Sequence, residues 1–524
     1  FRTSPWSMFK SKYYADARSM QMCSSRLIAA LRQRQKAPHS LVLIAVDDIR
    51  HLGQEASLVV ANVSAAIHES PNARTRALFS TLNASAILSN HQAAKHTGDA
   101  WCPVPGSSFQ RIIWVTLPPI DPSRVKIPGT EEQRAKWLGL AALCGGHPRS
   151  ISLLKSIWTR NAEKSFDVLS DLAWEALSAF HRPPPNEVLL SLLARSVLGD
   201  SMKLSDELGT SDQRRIRDLI VDAVLLNGDP CFFYQEPKVV PHLSGFMLRQ
   251  WAAAILAGDC KQELKVVACL VDSLLRHAGN HYRQRFEEFH ANFQVLRLWA
   301  FRFVGRGSGN TRKTCTVGAW YRFAALVHGG DVSFTVPGAI DFVEGQALDS
   351  IPERSVFIAP CNPGLDVGMK FGDLSVLEDL RFLEPNTANT EDRWSDVWEK
   401  CKVLQDAPDF GAFGLKPRCL VLAVAQQPPY WELPGYPLVH KPPKPADAKA
   451  ASAFEAFDKF PGTIIVVDRP HLLEWYGPTL SSLAGVLLSH RKQHIPLPVS
   501  AQCKDESKCQ SKGKSGRGRT RQGN

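Results

Sequence analysis

The chain has 524 residues, of which 44% are hydrophobic and 22% charged, and it carries a formal net charge of +11. That length predicts two or three domains, and the composition excludes a globally disordered chain. No uninterrupted apolar run reaches the roughly 18 residues that a membrane span requires, so no membrane partner is expected. The 12 cysteines are scattered without a CxxC pair, which fits a reducing interior and argues against a structural zinc site.

The chain opens on Phe1 rather than Met, with no charged segment leading into an apolar stretch, and so reads as a fragment. To about residue 125 strands alternate with helices. Ser40–Val46 is an apolar run closed by two acids, Ala84–Ser89 is a second strand candidate, and Arg111–Leu117 is a third, ended by Pro118 and Pro119. A helical stretch at Gln54–His68 lies between the first two, and this alternation predicts a parallel sheet with helices on its faces. From Glu131 to about Arg276 the spacing is helical almost throughout, in Gln133–Leu143, Arg149–Trp158, Asn186–Val197 and Lys261–Leu275. A further helix covers about Arg283–Trp299, and the Gly/Ser/Arg-rich Gly305–Lys313 reads as a link. Strand candidates then follow at Val332–Val336, Ser355–Ala359, Cys419–Ala425 and Thr463–Asp468, with a Pro-rich surface loop at Gln427–Pro445. There is no solenoid-type repeat.

Two segments have the residue types for nucleotide chemistry. In LVLIAVDDIRHLG, residues 41 to 53, an apolar strand ends in Asp47 and Asp48. The C-terminal ends of such strands face the ligand crevice of an open α/β sheet. There Asp47 can hold Mg²⁺ through water and Asp48 can orient or deprotonate the attacking water. The plain alternative is a buried strand ending in a solvated acidic turn. In ALCGGHPRSISLL, residues 142 to 154, Gly145 and Gly146 make a tight turn and Pro148 suits the first position of a helix. Arg149 then falls in the first helical turn, where the macrodipole disfavours a cation. An arginine placed there against local preference suits an anion such as a nucleotide phosphate; the alternative is a solvated side chain on an ordinary turn. His51 and His147 read as cap or surface residues.

In order and spacing, the acid-ending strand, a second strand ending at Ser89–Asn90 and the GGHPR turn resemble the parts of AAA/STAND-like NTPases. More closely, the VDDI strand, RIIWVTLPPID at residues 111 to 121 and GGHPR resemble the NTPase module of Crinkler effectors and retrotransposon hot spot proteins. The helix RFEEFHANFQVLRL at 285 to 298 is similar to the one that opens their C-terminal domain. This resemblance implies ATP and Mg²⁺ as cofactors, Asn90 in the polar position beside the γ-phosphate, and Arg149 on the phosphates. The phosphate-cradling GxxxxGK[ST] is missing, since Gly305–Thr314 has the wrong spacing, so residues 1–524 are expected not to hydrolyse nucleotide.

The resemblance also implies a restriction-endonuclease-like C-terminal domain, with a helix Glu, a strand Asp and an acid–x–Lys strand converging on Mg²⁺. Glu288, Asp366 in NPGLD and Glu378 in LEDLR are the matching residues; the Lys is absent and Arg381 falls one place late, which predicts a degenerate site. The expected organisation is a P-loop NTPase-like α/β core without its phosphate loop at 1–130, a helical subdomain at 131–280, a C-terminal α/β domain at 281–490 and a disordered basic tail at 491–524. Lys504, Lys508, Lys512, Lys514, Arg517, Arg519 and Arg521 make that tail a non-specific phosphate binder or simply a solvated terminus. The tail and the resemblance point to the nucleus, or to secretion as an effector. The opposing expectation is a non-catalytic interaction protein that retains an NTPase scaffold. Tyr430 and Trp431, after two prolines, read as loop packing rather than a base-stacking platform.

Overall fold

The computed structural model describes residues 42–46, 75–79, 113–114, 119–120, 125–178, 183–203, 206, 225–227, 231–232, 238–276, 283–307, 314–321, 326–329, 332–337, 340–344, 351–358, 366–372, 374–381, 398–399, 401–402, 419–424, 448–460, 462–467 and 469–489. It is a mixed α/β structure. Strand β1 (Val42–Val46) pairs in parallel with β2 (Thr75–Phe79), in register from Val42↔Thr75 to Val46↔Phe79. Its five apolar residues suit a strand covered on both faces. β2 was not among the expected strands. Gln54–His68 and Ala84–Ser89 lie outside the described residues. β3 (Ile113–Trp114) pairs antiparallel with Cys231–Phe232, far along the chain.

Helices dominate from residue 131. Thr130 starts α1 (Glu131–Leu143) with a capping box: its hydroxyl accepts from the Gln133 amide at 3.3 Å and the Gln133 side chain accepts from the Thr130 amide at 2.9 Å. α2 (Pro148–Asn161), α3 (Phe166–Ser178) and α4 (Asn186–Leu198) follow, the last starting directly after three prolines. The helical run is then interrupted, unlike the expectation. β4 (Met202–Lys203), β5 (Leu225–Asn227) and β7 (Lys238–His242) form a small antiparallel sheet in the order β4-β7-β5, with β6 (Cys231–Phe232) paired to β3. Adjacent Val239 and Val240 favour strand over helix at that point. α5 (Gly245–Ala257) and α6 (Gln262–Arg276) resume the helical packing.

The 25-residue helix α7 (Arg283–Gly307) runs through Gly305 rather than stopping near Trp299. Phe301, Phe303 and Val304 pack against the core, and that burial carries the helix past the expected link. Beyond it lie β8 (Thr314–Thr316), the single turn α8 (Val317–Trp320), β9 (Leu326–His328), β10 (Ser333–Thr335), β11 (Asp341–Glu344), β12 (Ser355–Ile358), β13 (Val367–Phe371), β14 (Leu374–Arg381), β15 (Cys419–Val424), α9 (Ala448–Asp458), β16 (Thr463–Val467), α10 (Arg469–Trp475) and α11 (Gly477–Ser489). Seven of these strands form one sheet, in the order β11-β12-β13-β14-β15-β16-β9. β12, β13 and β14 are an antiparallel meander, β14, β15 and β16 are parallel, and β9 closes the edge antiparallel to β16.

Val356, Val367, Met369, Val376 and Leu380 face the apolar cluster that contains the Phe residues of α7 and Trp475 of α10. Phe357, Leu377 and Ile464, at alternate positions, are also buried, so both faces of the sheet are covered. The same cluster runs from Trp137 in α1 to Leu487 in α11, so the helical region and the C-terminal sheet share one core. α11 packs on α1, α4, α7 and β7 and joins the two. Among the described residues no helix is long and apolar enough to cross a membrane.

Candidate functional site

The GGHPR turn is built by the junction of α1 and α2. The α1 carbonyls of Leu140 and Ala142 accept from the Cys144 and Gly145 amides at 3.3 and 3.0 Å, which ends the helix. Gly145 and Gly146 then take φ of 60° and 70°. A Cβ at Gly146 would lie 2.4 Å from the Pro119 Cβ, and Ile120 donates its amide to the Gly146 carbonyl at 2.9 Å. The chain arriving from β3 is therefore clamped onto this turn, and only glycine fits.

His147 is the N-cap of α2: its Nδ1 accepts from the Ser150 amide at 3.3 Å and is paired with the Ser150 hydroxyl at 2.9 Å. Burial, and then the neighbouring Arg149 charge, lower its pKa below the ordinary histidine value. Pro148 occupies the first helical position, as expected, and Arg149 is exposed. No acidic residue stands in the first turn of α2. The partial positive charge of the helix start and the guanidinium thus add, with no acid in that turn to offset them.

Behind the turn stands His242, the last residue of β7 and a residue that sequence reasoning missed. It is 3% exposed, and neither ring nitrogen has a hydrogen-bond partner. Its Nε2 lies 3.3 Å from where a Cβ at Gly145 would be, so the imidazole faces the turn. Burial pushes its pKa down to about 4, which leaves it neutral near pH 7. A buried polar group without a partner costs about 1–3 kcal/mol, so such a group calls for an explanation. The only sequence signal was a lone His beside Pro241 at the end of a Val-rich strand.

A second polar centre lies between α7 and the seven-stranded sheet. Glu378 of β14 is 0% exposed, and both its oxygens are occupied. Oε2 is 2.6 Å from His290 Nε2, and Oε1 accepts from Gln294 Nε2 at 2.6 Å and from the Tyr321 hydroxyl. His290 Nδ1 is hydrogen-bonded to the Tyr476 hydroxyl. Burial, and then the Glu378 charge, raise the Tyr476 pKa, so that hydroxyl stays protonated; it is the donor to Nδ1 in the His290 tautomer that carries its proton on Nε2. His290 Nε2–H then donates to the carboxylate. About two turns along α7 from His290, Arg297 is held between the Trp320 and Trp475 rings, 5.1 Å from each centroid. It donates to the carbonyls of Val197, Trp475 and Trp320 at 2.8, 3.0 and 3.4 Å.

The expected nuclease residues do not converge. Glu378 is sealed in this network. Asp366 lies just before β13, where its Oδ2 accepts from the Leu380 amide at 2.7 Å and its own amide donates to the Glu378 carbonyl at 3.0 Å. It braces the open end of the β13–β14 hairpin. Glu288 is half-buried on α7, two residues before His290 and so on a different face, and its carbonyl accepts from the Asn292 side chain. Mg²⁺ held jointly by Asp366 and Glu378 does not fit, because three donors already saturate the Glu378 carboxylate. Among the described residues no group of three His, Cys, Asp or Glu has metal-ligand geometry. Asp47, Asp48, Asn90 and the basic tail lie outside the described residues. Comparison with protein-family models, with curated proteins and with solved structures found no match.

Proposed function

We propose that this chain belongs to a nucleotide-binding switch protein of the P-loop NTPase type, resembling the Crinkler and retrotransposon hot spot NTPases. Its C-terminal α/β half acts on nucleic acid. The observation that carries this is the start of α2: a glycine turn locked in position, an exposed Arg149 and no acid in the first helical turn. Helix starts of this kind bind phosphate through their amides and dipole. The parallel β1–β2 pair that runs into Asp47 and Asp48 adds support.

In this proposal Arg149 and Asn90 bind the phosphates, Asp47 carries Mg²⁺, Asp48 orients water, and the basic tail contacts nucleic-acid phosphates. Mg²⁺ supplies charge neutralisation at the phosphoryl oxygens. Because residues 1–524 contain no GxxxxGK[ST], binding rather than turnover is the property to measure. A fluorescent ATP analogue titrated with Mg²⁺ should bind, and Asp47→Ala or Arg149→Ala should each weaken it about tenfold, the loss of one charge-assisted contact of roughly 1.5 kcal/mol. No binding at millimolar ligand would refute the nucleotide assignment.

One observation favours the second reading, a non-catalytic interaction protein. The acid that resemblance assigned to the nuclease strand, Glu378, is internal and fully hydrogen-bonded. On that reading the C-terminal half binds nucleic acid or protein without cutting it. Incubation of labelled DNA and RNA with the chain and Mg²⁺ or Mn²⁺ distinguishes the two, since cleavage lost in Asp366→Ala would restore the nuclease assignment.

A further inference from the structure

We propose that the exposed face of α2 is a contact surface for duplex DNA, seated along the major groove with its cations reaching the phosphates on either side. This rests on the reading of the chain as acting on nucleic acid, and gives that partner a surface on the helical region, apart from the basic tail and the C-terminal sheet.

The first support is charge. Pro148–Asn161 contains Arg149, Lys155 and Arg160 and no acid. All three are exposed, and among the described residues none is ion-paired. Cations of other helices are paired: Lys136 with Glu132 in α1, Arg249 of α5 with Asp171 of α3, and Arg276 with Asp272 in α6. The acids collect instead on the next helix, α3, at exposed Asp167, Asp171 and Glu175. Cations gathered on one face repel each other, and a polyanion laid along them removes that cost.

The second support is shape. At about 100° per residue, Arg149, Ser152, Lys155, Ser156, Thr159 and Arg160 share an exposed arc of roughly 140°. Lys155 stands on one margin of the arc, Arg149 and Arg160 on the other, and the small hydroxyl residues lie between them. Buried Ile151, Leu154 and Trp158 fix the opposite side to the core and hold the arc in place. A helix about 10–12 Å across enters a B-DNA major groove about 12 Å wide, where phosphates flank both margins and Ser and Thr can meet base edges. The deep, narrow major groove of duplex RNA excludes that approach. No aromatic side chain is exposed on the arc to stack an unpaired base, which favours duplex over single strand. Arg149 serves the nucleotide in the reading above. Lys155 and Arg160 therefore carry the DNA contact, with exposed Lys164 just past the helix end.

The test is fluorescence anisotropy of a labelled DNA duplex of arbitrary sequence, titrated with the whole chain at several salt concentrations. Wild type should bind, more weakly as salt rises. Lys155→Gln with Arg160→Gln should bind at least tenfold more weakly at low salt, with a log–log salt slope shallower by about two, one for each lost phosphate contact. Ser156→Glu, which sets an anion in the middle of the arc, should weaken binding likewise and serves if the double variant does not fold. Lys261→Gln with Lys265→Gln removes the same charge from α6 and should leave affinity within about twofold. Fluorescent ATP binding should be unchanged in all three variants, which separates this surface from the nucleotide site. Undiminished DNA affinity in the α2 variants would overturn the proposal and leave nucleic-acid binding to the C-terminal half. An equal loss in the α6 variant would overturn it too, since net charge alone would then be at work, and equally tight binding of duplex RNA would overturn the groove geometry. No binding of DNA by wild type would overturn the nucleic-acid reading together with this surface.

Discussion

Replacing Glu378 by leucine tests whether its network holds the long helix to the sheet. The change strips the acceptor from three buried donors: His290 Nε2, Gln294 Nε2 and the Tyr321 hydroxyl. Gln294 Nε2 keeps its bond to the Tyr321 oxygen at 3.0 Å, but its other hydrogen and the Tyr321 O–H lose their acceptor. His290 Nε2–H loses its acceptor as well. At about 1–3 kcal/mol for each stranded donor, partly offset by relief of carboxylate desolvation, the net loss is about 3–5 kcal/mol. Glu378→Gln should cost less, about 1–2 kcal/mol. Its amide can donate to His290 Nε2 once the ring changes tautomer, but His290 Nδ1–H then turns the Tyr476 hydroxyl into an acceptor. Urea denaturation gives the overall loss, and hydrogen exchange of peptides from α7, β14 and α10 localises it. A leucine variant within 1 kcal/mol of wild type, with unchanged exchange in α7, would refute the view that these hydrogen bonds secure the helix.

Two further outcomes are expected. His242 has its folded pKa depressed to about 4 from 6.5; between these values the unfolded chain takes up a proton that the folded chain excludes, so stability falls as pH falls through this window. The loss should be about 2 kcal/mol between pH 7.5 and pH 5 and about 3 kcal/mol by pH 4, with His147 contributing in the same sense. Denaturant midpoints against pH should show that slope, and His242→Leu should flatten it; an equally steep slope in the variant would exclude His242 as its source. Gly477→Ala should cost about 3 kcal/mol or more, because φ at 477 is +70° and the new Cβ would lie 2.1 Å from the Ser196 carbonyl oxygen. A Tm within a few degrees of wild type would show that the α4–α11 joint yields without strain.

The local chemistry of the chain was legible where it is self-contained. Apolar spacing located α1, α2, α4 and α6 to within a few residues, because burying one face of a helix leaves that period in the sequence. Val42–Val46 and Thr463–Val467 stood out as strands by their uninterrupted apolar and β-branched content. The turn at Gly145–Arg149 was readable because Gly, Pro and a first-turn arginine each carry a backbone or dipole meaning of their own. Hairpin β13–β14 was not, since LSVLEDLR places a glutamate among apolar residues and matches neither period cleanly.

What lay beyond the sequence were the partnerships between distant residues. The family resemblance implied a metal shared by Glu378 and Asp366, yet strand pairing and helix docking turn Glu378 inward to His290, 88 residues away in sequence, and give Asp366 to the hairpin backbone. His242 looked like any strand-end residue until folding set it, without a partner, against Gly145. Spacing along the chain fixes backbone period and local caps, which depend on near neighbours. The orientation of a polar side chain toward ligand, solvent or core depends on which distant elements close over it, and here packing around α7 and α11 decided that.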